Sequence, residues 1–257
     1  MDKKAYYPTN LTENQWKIIE KIINSQRKRR HNLRDIIDAL FYLVKSGCQW
    51  RLLPVNFPPY NTVYYYYRLW KNTGLIEEIH DILRGIIRKL AGRNESPSAA
   101  CIDSRSVKTT RSGSECKGVD GGKKIKGRKQ HIVTDTMGLL LAVKVHEANI
   151  HDSKAAESVL EKLQWRFEKL TKIFADGGYR GDLVNRIESI YGWIIEIVLR
   201  SDDVKGFVVI PKRWVVERTF SWFESYRRLA KDYEFLNEST ETMIQISMMR
   251  LMLNRIK

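Results

Sequence analysis

Apolar residues recur at helical spacing through the first third of the chain. Trp16, Ile19, Ile22 and Ile23 share one face of a helix that Thr12 caps. Ile36, Ile37, Leu40, Phe41 and Val44 do the same behind Asn32, and Gly47 stops that second helix. A loop with Pro54, Pro58 and Pro59 leads into VYYYYRLWKN, for which Asn61 or Thr62 supplies a cap, and residues 76–90 form a further amphipathic helix. Spacing turns about two of the four tyrosines at 64–67 inward.

The pattern changes at GRNESPSAA, residues 92–100, a polar stretch with Gly92 and Pro97. A domain boundary there divides the chain into an all-helical region, 1–96, and a second region, 97–257. In the second, AACIDS, QHIVTDT and LLLAVKVHEA predict strands, the last two joined by a TMG hairpin turn. SKAAESVLEKLQWRF predicts a helix, KIFAD a strand, DLVNRIESIYG a helix and WIIEIVLR a strand. FVVI is a further short strand before the long helix RWVVERTFSWFESYRRL, and STETMIQISMMRLMLNRI closes the chain with a Met- and Ile-rich core face. Strands first, then alternating helix and strand, give an α/β (α+β) class with a mixed sheet covered by helices.

Charge narrows the partner. Lys and Arg number 45 against 30 Asp and Glu, a net +15 in 257 residues, and the excess is present on both sides of the boundary. A chain basic throughout expects a polyanion, with nucleic acid foremost. The helix, Gly turn, Pro-rich loop and basic aromatic helix of the first region are compatible with a helix-turn-helix-like module, in which Arg68 and Lys71 would reach the duplex. RKRRH at 27–31 is a solvated loop or a phosphate contact with equal weight. KGVDGGKKIKGRKQH, residues 117–131, reads as a flexible cationic loop whose Lys123, Lys124, Lys126 and Arg128 hold phosphates. Three cysteines at no metal-like spacing fit a reduced setting, and no apolar run approaches the ~20 residues needed to cross a bilayer. A cytoplasmic protein without membrane contact is the expectation.

Three acids stand out. Asp103 and Asp176 each end an apolar strand, where ligand sites of open sheets collect, and Gly177 and Gly178 leave room beside the second. Glu217 lies among Trp214, Val215, Val216 and Phe220, so it is either paired to Arg213 one turn earlier or a ligand, and Glu224 shares its helix face. Three converging carboxylates form an all-oxygen site suited to Mg²⁺, and two such ions ~3.5 to 4 Å apart serve phosphodiester cleavage. GVDGGKK misses the Walker spacing, and HEANIH has one residue too many for HExxH.

At this point LTENQW, RDIIDALFYLVKSGCQWRLLP, TVYYYYRLW, IDSRSVKTT, GGKKIKGRKQHIVTDTMGLLLAV, FADGGYRG, DDVKGFVVIPKRWVVERTF and YRRLAKDYE together resemble the DDE transposases of bacterial insertion sequences, in the insertion-sequence-five family of the four/five superfamily. The resemblance implies a ribonuclease H-like core with Asp103, Asp176 and Glu217 as catalytic, metal-binding triad. The signature Y-x2-R-x3-E-x6-K is met at Arg213 and Glu217, with Ile210 and Glu224 in the outer places. Implied too are two Mg²⁺ (Mn²⁺ as a substitute), binding to the element's terminal inverted repeats and to target DNA as a homo-oligomer, and a bacterial nucleoid location. The activity implied is end cleavage followed by joining of 3′-hydroxyls to target DNA. Arg180 and Arg213, with Lys126 and Arg128, are the expected phosphate holders. A catalytically silent DNA-binding relative, or a metal-dependent nuclease without strand transfer, are the alternatives.

Overall fold

The computed structural model describes residues 7–23, 29–111, 114–199 and 214–256. Helix α1 (Glu13–Ile23) starts at a reciprocal cap in which the Gln15 amide donates to Thr12 Oγ1 and the Thr12 amide to Gln15 Oε1. In α2 (Leu33–Ser46) Asn32 accepts from the Arg34 amide, and Gly47, at φ 70°, closes the helix on the Leu43 carbonyl. Helix α3 (Tyr60–Asn72) begins earlier than the Asn61 or Thr62 expected as its cap. Pro59, with φ fixed at −48°, stands at the N-cap and its carbonyl accepts from Thr62 and Val63. Of the four tyrosines Tyr67 is buried and Tyr66 half-buried, whereas Tyr64 and Tyr65 are exposed. Helix α4 (Leu75–Leu90) completes the helical region.

Next come β1 (Ala99–Lys108), β2 (Gly118–Asp120), β3 (Ile125–Asp135), β4 (Leu140–Glu147), α5 (Asp152–Leu160), β5 (Lys172–Ala175), α6 (Asp182–Tyr191), β6 (Ile194–Ile197), α7 (Trp214–Glu224) and α8 (Asn237–Leu253). The sheet runs β2-β3-β1-β5-β6, with β4 also on β3. Pairs β1–β3, β2–β3 and β3–β4 are antiparallel, and β1–β5 and β5–β6 parallel, which makes the sheet mixed.

Alternation along the strands separates two cores. Ala100, Ile102, Val133, Ile173, Ala175 and Ile195 face α5 and α6. Cys101, Ile132, Val143 and Phe174 join Val215, Val216 and Phe223 of α7 and a cluster that also takes in α8, α2 and α4. The apolar core of the helical region is therefore continuous with that side of the sheet. Arg88 of α4 is ion-paired with buried Asp135 at the end of β3, and Gln15 donates to the Leu253 carbonyl at 2.8 Å.

Three sequence expectations need correction. Residues 117–131 are a hairpin, β2 and β3, rather than a flexible loop; Gly127 lies so close to β1 that a Cβ there would sit 2.0 Å from the Val107 carbonyl oxygen. The helix after β4 ends at Leu160 rather than near Phe167. Trp165 adopts φ 64°, which lets Leu163, Phe167 and Leu170 all enter the core and brings Arg166 to Glu77 and Asp81 of α4. Helix α7 stops at Glu224 because the chain turns to bury Tyr226 and to pair Arg228 with Glu234 at 2.6 Å. The FVVI stretch, Ile210 and Arg213 lie outside the described residues, as do Arg27 and Lys28 of RKRRH. Cys48, Cys101 and Cys116 are free, and among the described residues no helix is long and apolar enough to cross a membrane.

Candidate active site

Strand register fixes the relation of the first two acids. Strands β1 and β5 run parallel with Ala99 opposite Lys172, Ala100 opposite Ile173 and Cys101 opposite Phe174. Beyond these pairs β1 continues through Asp103 while β5 ends at Ala175, so Asp103 and Asp176 lie just past the last pair on neighbouring strands. Both follow Cys101 and Phe174 by two residues and so share their face, the one that α7 covers.

Helix α7 is laid along β1. At its middle Thr219 donates to the Gly138 carbonyl and Arg218 to the Met137 carbonyl, at the β3–β4 turn, whose neighbouring Asp135 opposes Ala100 of β1. Further along, Arg105 of β1 donates to the Phe220 carbonyl and stacks on Phe220 and Phe223. Glu217 lies one residue before Arg218, on the N-terminal side of these anchor points, and is exposed on the helix. Glu224, two turns on, is the acid beside Arg105. Burial lowers the Arg105 guanidinium to about 10 while Glu224 opposes the shift.

Local bonds hold the two aspartates. Asp103 Oδ1 accepts from the Ser104 amide at 2.7 Å, and Asp176 Oδ1 accepts from the Gly178 amide at 2.8 Å, which makes Asp176 the cap of the 3-10 turn Gly177–Tyr179. A Cβ on Gly178 would lie 3.0 Å from that Oδ1, so the glycine keeps the carboxylate's flank open. The glycine that needs its backbone freedom is Gly181, at φ 94° and ψ −152°, where the chain turns into α6.

Behind the pair, on the α5 side, lies a polar network that the sequence did not reveal. Tyr179 is fully buried and shares a 2.7 Å hydrogen bond with His131 Nε2. Burial first, and then the charges of Asp103, Asp152 and Asp176, push its phenol well above its ordinary value, so all three acids lie about it. Asp152, at the start of α5, accepts from Ser104 Oγ at 2.7 Å and from Lys129 Nζ at 2.9 Å. Burial alone would raise its carboxyl, but those two bonds outweigh it and hold it below the carboxylate range. No local motif marks Asp152; it enters the network only because α5 starts at the edge of β1.

The expected phosphate contacts divide. Lys123, Lys124 and Lys126 are exposed on the hairpin, and Lys123 Nζ reaches the Ser104 carbonyl at 3.5 Å. Arg180 is exposed directly after the Asp176 turn, and Arg68 is exposed on α3. Lys71 instead pairs with Glu238 of α8 at 3.1 Å, with its side chain mostly covered. Arg128 is a correction: it is fully buried, its guanidinium donating to Asp232 and to the carbonyls of Cys116, Glu234 and Phe235. A cation so enclosed ties the hairpin to the segment before α8 and presents nothing to a phosphate.

The acids in question supply only oxygen donors, which suits a hard divalent cation. Among the described residues, no three His, Cys, Asp or Glu side chains stand close enough together to hold a metal. His146 is in β4 and His151 caps α5.

The sequence matches the family description "Transposase DDE domain" over residues 94–252 and "Putative transposase of IS4/5 family" over residues 11–80. It is 29% identical over 115 residues to a Burkholderia cepacia protein described as "Putative transposase for insertion sequence element IS402". That match covers 42% of this chain and 54% of the relative, so the chain aligns with about half the length of the curated relative it matches.

Proposed function

Because the chain belongs to the DDE transposases of the insertion-sequence four/five type, we propose that it binds the ends of its own element, cleaves the DNA there and joins the freed 3′-hydroxyls to target DNA. The observation that supports the reading is that Asp103 and Asp176 lie just past the last β1–β5 pair, two residues beyond Cys101 and Phe174, which pack in the same core as Val215 and Val216 of α7. Glu217 is the third member rather than Glu224, whose carboxylate is the one that opposes the Arg105 shift, two residues further along β1.

Each residue has a physical task. Asp103, Asp176 and Glu217 would hold two Mg²⁺, with Mn²⁺ as a substitute, which would supply positive charge for an attacking and a leaving oxygen. Gly178 keeps space at the Asp176 carboxylate for the phosphodiester. Arg180, beside that turn, pairs with a non-bridging phosphate oxygen, as does Arg213. Hydrolysis at the element end and attack by the freed 3′-hydroxyl are both in-line displacements at phosphorus, so one site serves both.

The remaining parts fit the same task. A mixed sheet with helices on both faces supports a ribonuclease H-like core, and the helical region 1–96 supports a helix-turn-helix-like reader in which exposed Tyr64, Tyr65 and Arg68 face the duplex. Two ends must meet one target, so the protein acts as a homo-oligomer on DNA, at the nucleoid.

The test is a cell assay that scores excision and integration of a marked element. Asp103→Asn, Asp176→Asn and Glu217→Gln should each abolish both events while the variants accumulate to wild-type levels. Excision without integration would leave a nuclease that lacks strand transfer; excision retained in all three variants would remove the triad.

A further inference from the structure

Past Arg105, at the far end of β1, lie two clefts that share a wall. The first, about 630 Å³, is bounded by Arg105, Ser106, Glu224, Lys108 and Lys231. The second, about 440 Å³, shares Lys108 and Lys231 and adds Arg111, Lys117, Lys124 and Lys126, with two threonines between them. No carboxylate lines the second cleft, and among the described residues none of its six cations is ion-paired.

The cations come from three separate parts of the chain: the end of β1, the β2–β3 hairpin and the turn after α7. Unpaired like charges gathered around one cleft repel, so something must hold them there. The holding group is the buried pair of Arg128 and Asp232, at 3.1 Å. The Asp232 amide donates to the Lys108 carbonyl at 2.9 Å and Asp232 bridges to Thr109, which fixes the Lys231 wall to β1. Gly127, pressed against the Val107 carbonyl, fixes the hairpin wall. A cleft built this rigidly and lined this uniformly suits a continuous polyanion better than a single small anion.

We propose that this cleft grips the sugar-phosphate backbone of duplex DNA to one side of the scissile bond. From Asp103 to Lys108 is five strand residues, ~17 Å at 3.4 Å each. That equals about five phosphates along one DNA strand, spaced 3.4 Å apart. DNA therefore leaves the carboxylates past Arg105 and is held about five nucleotides away. The direction rests on the reading of Asp103 as catalytic, whereas the grip itself does not.

The experiment uses the full chain and a fluorescein-labelled 30-base-pair duplex of arbitrary sequence, with anisotropy titrations at several salt concentrations. Lys108→Ala/Lys231→Ala removes two contacts and should reduce the slope of log K against log salt by about 1.8, weakening binding about 60-fold at 0.1 M salt, at 0.9 per phosphate. Lys154→Ala/Lys169→Ala, equal in charge loss and exposed on the other side of the sheet, should keep the wild-type slope. Equal loss in both pairs would reduce the effect to net charge and overturn the proposal, and so would an unchanged Lys108/Lys231 pair. Binding of the same sequence only as a single strand would overturn the duplex assignment. Loss of nicking by Asp103→Asn on a duplex that carries the element's own end tests the carboxylate reading separately from this one.

Discussion

His131 makes the folded protein acid-sensitive below the ordinary imidazole range. Its ring is fully buried between Tyr179 and His146, and Nδ1 has no hydrogen-bond partner among the described residues. Burial, then repulsion from His146, hold its pKa down to about 3, with Asp152 opposing and Lys129 reinforcing. Unfolded, it takes up a proton near 6.5; folded, it stays neutral until about pH 3. The folded state therefore binds fewer protons, and its stability is fully present above 6.5 and declines as the pH falls toward 3. At pH 5 the 1.5-unit gap below 6.5 corresponds to about 2 kcal/mol at 1.36 kcal/mol per unit. The assay is urea unfolding followed by tryptophan fluorescence at pH 7.5 and pH 5.0, for wild type and His131→Gln. Wild type should lose about 2 kcal/mol more than the variant over that interval, although the variant starts lower for want of the Tyr179 bond. Equal losses would mean that His131 charges within the fold and that the reasoning from burial is wrong.

Other substitutions test the scaffold. Asp232→Ala leaves the Arg128 guanidinium buried without its carboxylate and should cost about 3 to 5 kcal/mol in urea unfolding, with much of the loss recovered in Arg128→Met/Asp232→Leu. Gly127→Ala places a Cβ against the Val107 carbonyl and should cost about 3 kcal/mol, read as a lowered thermal midpoint. Asn32→Ala removes the α2 cap and should cost about 1 kcal/mol by the same scan.

Local chemistry explains what could be read from the sequence. The Thr12, Asn32 and Gly47 caps and the strand end before Asp176 depend on residues a few positions apart, and the structure shows those features where the spacing predicts them, whereas Asp103 stands in the middle of β1, which pairs with β3 as far as Lys108 instead of ending at the acid. What failed depends on distant partners. Arg128 is an alternating strand residue in a lysine-rich run, and nothing nearby indicates that residues 232–235 enclose it. The β2–β3 hairpin has no local signal because glycine and lysine disfavour strands on their own, and pairing with β1 and β4 stabilises β3. The Ser104, Lys129 and Asp152 bonds join three elements and leave no local signature.

The central claim is that Asp103, Asp176 and Glu217 act as one site. The most direct measurement is nicking of a labelled duplex carrying the element's own end, with Mg²⁺ or with Ca²⁺, by wild type, Glu217→Gln and Glu224→Gln. The account predicts Mg²⁺-dependent nicking by wild type and Glu224→Gln and none by Glu217→Gln, which still binds the duplex. Nicking by Glu217→Gln at the wild-type rate, with loss in Glu224→Gln, would contradict it and move the third carboxylate two turns along α7.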